Sequence, residues 1–505
     1  MLCASALALP LAGTAPAAAR PAAAPPYGED VVRSRTIDLD ADDYLWLCAE
    51  QPFGVPREHT FDLFSDVKLH VVEDRLDRDG ASLTWTGHLR DEASSNAVLS
   101  VTGVCGPGAA TTPASVEGHF DVGKRVFRLA VPQNEPGRLR ITEEDPSRRK
   151  EPVGDDVGPL SRSDPKLLRE GLERLKKRAA VSDPVIIDMI VGYTPAAVRR
   201  VGGEPAMQTR IRLAESYLNQ ALADSNVRAS VDVIGTYNTD YDGDQTASVM
   251  LPKLSAPSDL QLGARAAQLR EDYGVDLVSV VNDVPQGSSG QASLPVPFLK
   301  PGGVANDGEA FSVVDVSSIV NWYNFGHEIG HNLGLWHDRA TLDEQSGGQD
   351  YTPYLTTPYS TGFVTRNRDF HTLMAYSSAC GRPCSAVNQY SNTENTVNGQ
   401  PLGNADNNNA AVARLTTPIV AGYRDLKIAR QRYRLTVEAS QGGTARPSTF
   451  GPYRAGTTLS VNAYPAPGYR VAWWEADGVR YNVTSSQVTV TMNTDHAVKA
   501  VFTRT

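Results

Sequence analysis

The stretch HEIGHNLGLWHD, residues 327–338, places three of the chain's nine histidines within one short segment, with a glutamate directly after the first. An α-helix turns about 100° per residue, so His327 and His331 stand about 40° apart on one face. Phe325, Ile329 and Leu333 fall on the other side and form an apolar back suited to a core. Glu328 sits one step round from His327, near enough to reach a water held beside the imidazoles without displacing one. Gly334 can take the left-handed conformation that ends a helix, which lets the chain turn and bring His337 back as a third ring.

Three neutral imidazoles leave one of the four positions of zinc (Zn2+) for water, as a catalytic site requires. A structural zinc site closes that position, typically with cysteine, and no cysteine lies near this segment. Zinc lowers the pKa of the water, and a carboxylate can take its proton and pass it to a leaving amine. The bland reading is a polar helix face. It requires a chance match to H-E-x-x-H-x-x-G-x-x-H, which composition puts on the order of 10⁻⁵.

Around this segment the chain alternates strand and helix patterns. DPVIIDMIVGYT, RASVDVIGTYN and VDLVSVVND read as strands, EPAMQTRIRLAESYLNQALADS and QLGARAAQLREDYG as helices, and GEAFSVVDVS as a strand near the sheet edge. The first helix carries Ile211, Ala214, Leu218 and Leu222 on one face. This is an α/β layer pattern, a twisted and mostly parallel sheet with helices. A substrate strand is expected along the sheet edge near 311–316. The loop NTDYDGD (238–244) offers aspartates to calcium (Ca2+) but has no further EF-hand ligand, so it reads as a solvated turn.

Residues 30–145 read as a β-rich domain, with alternation in SLTWTGHL, AVLSVTGV and RVFRLAV. Its histidines, His59, His70, His88 and His119, are scattered. Residues 146–182 form a charged linker with basic runs at 148–150 and 176–178 and one short helix pattern at 165–178, open to proteolysis. Residues 432–505 read as a small all-β module, and NVT at Asn482 matches a glycosylation acceptor. The whole is a multidomain chain of 505 residues.

Residues 1–25 have the apolar run and small residues of a secretory signal peptide, although no basic residue precedes Arg20, so the assigned start is expected to lie downstream of the true one. Cys3 would leave with that peptide. Of the other four cysteines, Cys48 with Cys105 and Cys380 with Cys384 is the most local pairing; the alternative leaves an upstream thiol free for a metal. A net charge of −10 argues against nucleic acid or an anionic membrane as partner, and no segment is apolar for long enough to span a bilayer.

The extended histidine motif resembles that of the metzincin metallopeptidases. HTLMAYSS supplies the methionine turn that this family places beneath its zinc, with Met374 as the floor and Tyr376 as support for the metal or the oxyanion. His371 has no place in the motif and reads as structural. Asp338 after the third histidine, and QYSNTENTVNGQPLGNADNNNAAVARL, are similar to the bacterial secreted reprolysin-like branch, over roughly residues 183–425. Thr393 departs from it where proline is expected. The upstream region resembles, more weakly, the propeptides of those enzymes, and the last module the divergent β-repeats of bacterial surface proteins. The resemblance implies a secreted zinc endopeptidase made as a proenzyme and acting on protein or peptide substrates. His327, His331 and His337 would bind zinc and Glu328 would act as general base. A propeptide thiol, Cys48 or Cys105, is a candidate latency switch, with a Cys48–Cys105 disulfide preferred. The C-terminal module would engage a surface or polymer. The rivals are a secreted adhesion protein with an inactive metallopeptidase domain, and a zinc hydrolase of non-peptide amides.

Overall fold

The computed structural model describes residues 30–106, 110–123, 125–148, 166, 170–174, 183–284, 289–300 and 304–505. The signal-peptide reading and most of the linker, including the run at 176–178, lie outside the described residues. Of the expected linker helix, residues 170–174 are helical.

Eight strands build the N-terminal sheet: β1 (Val31–Asp38), β2 (Glu58–Phe64), β3 (Val67–Asp79), β4 (Ser82–Leu89), β5 (Glu92–Thr102), β6 (Ser115–Val122), β7 (Arg125–Ala130) and β8 (Arg138–Glu144). They run in the order β1-β8-β7-β6-β5-β4-β3, with β2 also on β3. Every neighbouring pair is antiparallel, and the alternating side chains put Trp85, Leu99, Phe120 and Phe127 into one core. Cys48 and Cys105 form a disulfide there, with Cα atoms 5.5 Å apart. Both thiols are therefore consumed, and the thiol latency switch is corrected: neither cysteine can ligate a metal while this bond stands.

Glu73 on β3 is 0% exposed, and burial pushes its carboxyl up to about 7, against the pull of the Arg57 guanidinium. An acid raised in the fold leaves stability intact below its unfolded value of 4.5 and removes it as pH climbs through 7. Arg57 keeps Gln51 and the carbonyls of Trp46 and Ala49 as other partners. Glu73→Gln is therefore expected to match wild type at pH 4 and exceed it at pH 8 by up to about 3 kcal/mol. Thermal melts at the two pH values check this; an equal gap at both would contradict it.

The central sheet holds β9 (Val185–Tyr193), β10 (Ala229–Asn238), β11 (Leu277–Asn282), β12 (Gly290–Ala292) and β13 (Phe311–Asp315) in the order β10-β9-β11-β13-β12. The first four in that order run parallel, and β12 is antiparallel to β13. The placement of 311–316 at the sheet edge is corrected: β13 pairs on both sides, and β12 is the last strand. FSVVD is buried throughout, as an interior parallel strand should be, whereas GQA is too short and polar to show any period.

The helix Glu204–Asp224 buries Ile211, Ala214, Leu218 and Leu222 against this sheet as expected. Its other side is covered too, which a one-faced pattern did not anticipate. The N-terminal sheet lies there: Thr102 bonds Thr209 at 3.1 Å, Glu117 pairs with Arg210 at 2.7 Å, and Val98 enters the central core. Polar side chains on that face meet polar partners, so the helix looks amphipathic in sequence while being buried in the fold.

The C-terminal module packs its own core on Trp474, Leu459 and Val488. It is not a separate body. Its strand Thr458–Pro465 pairs antiparallel with β3, so the N-terminal sheet continues into the module. The strand pairing between the two β units is a feature that the sequence reading did not anticipate. Two bridged residues in each strand, Thr458↔Leu76 and Leu459↔Arg75, are too local a pairing to leave a sequence pattern.

Candidate metal centre

The motif helix spans Asn324–Asn332 and is buried over its whole length. The expected apolar back is present, with Phe325, Ile329 and Leu333 in the central core. The opposite face is not exposed either, since His327, Glu328 and His331 are also enclosed. Such a burial of polar groups is tolerable only where each has a partner. The small residues of the motif make the close packing feasible. A Cβ on Gly330 would stand 2.5 Å from the Met374 sulfur, which places Met374 directly against the helix. Gly334 takes φ +78 and ends the helix, so that Trp336 and His337 turn back toward it.

Each imidazole is held by its Nδ1. His327 Nδ1 lies 2.8 Å from the Leu373 carbonyl oxygen, His331 Nδ1 2.8 Å from that of Leu335, and His337 Nδ1 2.8 Å from Gln345 Oε1. A carbonyl oxygen only accepts, so in each neutral ring Nδ1 carries the hydrogen and donates it. Nε2 then presents a lone pair. The Nε2 atoms of His327 and His337 are 3.2 Å apart, those of His331 and His337 3.0 Å, and the three ligand atoms lie within 4.8 Å of one another. Lone pairs this close repel unless a cation sits among them. Nitrogens about 2.0–2.1 Å from a tetrahedral zinc stand roughly 3.3 Å apart, so the donor set fits that ion.

Asp338 ties the third histidine to the methionine turn. It caps the helix Arg339–Gln345 by accepting from Thr341 N at 3.0 Å, and its second oxygen accepts from Tyr376 N at 3.3 Å. That helix carries Gln345, the residue orienting His337. Tyr376 places its hydroxyl 3.5 Å from His337 Nε2. His371 is buried, with Nδ1 beside the Thr372 carbonyl, and takes no part in the triad. Ser391 and Asn409 close the far side: Ser391 Oγ donates to the Thr361 carbonyl and accepts from Asn409 N. Thr393 is exposed beside this closure, and nothing there demands proline. Cys380 and Cys384 form the second disulfide just past the turn. The loop 238–244 is a turn with Asp240, Asp242 and Asp244 exposed.

Glu328 is 0% exposed, and its carboxylate reaches β12: a Cβ built on Gly290 would come 2.2 Å from Oε1. Only glycine leaves room for that carboxylate against the last strand. Gly290→Ala is therefore expected to displace it and, on the reading of Glu328 as general base, to lower turnover on the order of 10²-fold. Zinc content should stay at the wild-type level. Steady-state rates and metal analysis together check this; wild-type turnover would contradict it. Gly290, Gln345 and the Leu373 carbonyl were not among the sequence candidates. Gln345 offered one faint signal, a polar residue within a short helix capped by Asp338.

Residues 183–391 match the model described as metallo-peptidase family M12. Over this segment the chain is similar to the metallopeptidases of that family. Residues 433–505 match the divergent InlB B-repeat domain. A peptidyl-Asp metalloendopeptidase of Stenotrophomonas maltophilia (strain K279a) is 28% identical over 258 residues, 49% of this chain and 55% of that protein. One of Pseudomonas aeruginosa (strain PAO1) is 29% identical over 213 residues, 40% of this chain and 34% of that protein. A third, from Stenotrophomonas maltophilia (strain R551-3), is 26% identical over 362 residues, 68% of this chain and 78% of that protein. The chain thus spans about half the length of the first of these relatives and a third of the second.

Proposed function

We propose that this chain is a secreted zinc metalloendopeptidase made as a proenzyme, with residues 30–145 as its propeptide domain, 146–182 as the linker to be cut and 183–425 as the catalytic domain. One observation carries the reading: three Nδ1-anchored imidazoles converge through Nε2 beside a buried carboxylate. His327, His331 and His337 hold the ion, and Met374 supports the helix from below. Zinc, when bound, supplies a Lewis acid that polarises the scissile carbonyl and makes water a nucleophile at neutral pH. Glu328 takes the proton of the attacking water on a carboxylate oxygen and gives it to the leaving nitrogen. The Tyr376 hydroxyl donates to the carbonyl oxygen as negative charge develops there. A substrate strand is read along β12, next to Gly290 and Glu328, and no longer along 311–316.

Two disulfides favour an oxidising compartment, in keeping with export. No helix of the described residues is long and apolar enough to cross a membrane. The names of the relatives add a preference to test, cleavage beside aspartate. Cutting casein with protein processed at the linker and freed of its N-terminal fragment, and sequencing the products by mass spectrometry, should yield breaks concentrated at Asp. Breaks spread evenly over residue types would remove the preference, and no breaks at all would remove the endopeptidase.

A further inference from the structure

The N-terminal domain is held from two sides, and only one of them is the catalytic domain. On the other side, the C-terminal module joins it by strand pairing of β3 with Thr458–Pro465. A second seam lies at Gly54, which exchanges backbone hydrogen bonds with Thr489, while Thr491 Oγ1 donates to the Gln51 carbonyl at 2.9 Å. Between these seams the Phe53 and Tyr481 rings meet at a tilt with centroids 4.5 Å apart, and Phe53 packs against the core of the module. Gln487 Nε2 donates to Asp74 at 2.8 Å, and Thr457 Oγ1 to Asp77 at 3.0 Å.

The same module is bolted to the catalytic domain by arginines. Arg432 pairs with Asp232 at 2.6 Å and with Asp188, on the two adjacent strands β10 and β9. Arg454 pairs with Asp232 and with Glu215 of the long helix. Asp79, at the end of β3, closes the triangle. It meets Arg212 of the catalytic domain at 2.5 Å, Arg430 of the connector at 3.2 Å and Arg454 of the module at 3.6 Å. Asp232 is 4% exposed, so the pairs it makes are shielded from water and from salt, whereas those of Asp79 lie nearer the surface.

We propose that the C-terminal module is an internal clamp whose partner is the N-terminal domain of this same chain, and that it retains that domain on the catalytic domain after the linker is cut. Strand addition supplies directional hydrogen bonds, the Phe53 contact supplies apolar burial, and the shared Asp79 couples both to the catalytic surface. The linker tether is then dispensable for association, because the module makes the second attachment intramolecular. The natural cut rests on the proenzyme reading above, while the association of the domains does not depend on peptidase activity.

The test uses the full chain with a site-specific protease sequence inserted between residues 150 and 165. After nicking, wild type is expected to pass through gel filtration with both fragments in one peak. Phe53→Ala with Arg430→Gln, and each substitution alone, remove clamp contacts while leaving buried Asp232 paired to Arg432 and Arg454. Circular dichroism before nicking confirms that they fold. The double variant should release the N-terminal fragment at least tenfold faster than wild type, and Arg210→Gln, which breaks the direct contact with Glu117 together with the Arg210 bond to the Val316 carbonyl inside the catalytic domain, should do so less. Loss of the fragment from wild type during the column run would overturn the proposal. So would release from the clamp variants at the wild-type rate, or acceleration by Arg210→Gln equal to theirs.

Discussion

Glu328→Gln is expected to lower kcat by about 10²–10⁴-fold while leaving one zinc per chain. The amide has the shape of the carboxylate, so the Gly290 gap still accommodates it and the three imidazoles are untouched. What is lost is a group able to accept a proton from water and return it to the amine. KM should move little, because Glu328 is 0% exposed and so has no surface to offer a substrate side chain. A fall in kcat with full metal content separates proton transfer from metal binding. A variant with more than about a tenth of wild-type kcat would contradict the general-base role.

His331→Ala is expected to empty the site and abolish detectable turnover. His331 Nε2 is 3.0 Å from that of His337, and its Nδ1 is anchored by the Leu335 carbonyl one turn on. Two remaining imidazoles cannot hold zinc with three-ligand affinity. At free zinc a thousandfold above its Kd, the metal contributes about 4 kcal/mol to wild-type stability, and this is absent from the variant. Its melting temperature should therefore lie several degrees below zinc-loaded wild type, and chelator should lower wild type further than the variant. A variant that retains one zinc and the wild-type melt would contradict the triad.

Much of the central domain could be read from sequence because its strands and helices are long and strongly periodic. The motif also encodes its own geometry: His327 and His331 share a face by the helical repeat, and Gly334 supplies the turn that φ +78 requires. What escaped were features set by contacts across the chain. β12 has three residues, and its role as last strand depends on β13, twenty residues away. Gln345 matters only because Asp338 caps the helix that carries it toward His337. The burial of the polar face of Glu204–Asp224, and the sheet shared between β3 and Thr458–Pro465, arise from domain packing that no local period records.

As proposed, this chain hydrolyses protein with a metal held by His327, His331 and His337. The most direct measurement titrates zinc into metal-free protein, processed at the linker and freed of its N-terminal fragment, while following casein hydrolysis. The rate should rise from zero in proportion to zinc and level off at one equivalent, and it should vanish again with chelator. Stoichiometric zinc uptake with no cleavage of casein would contradict the account.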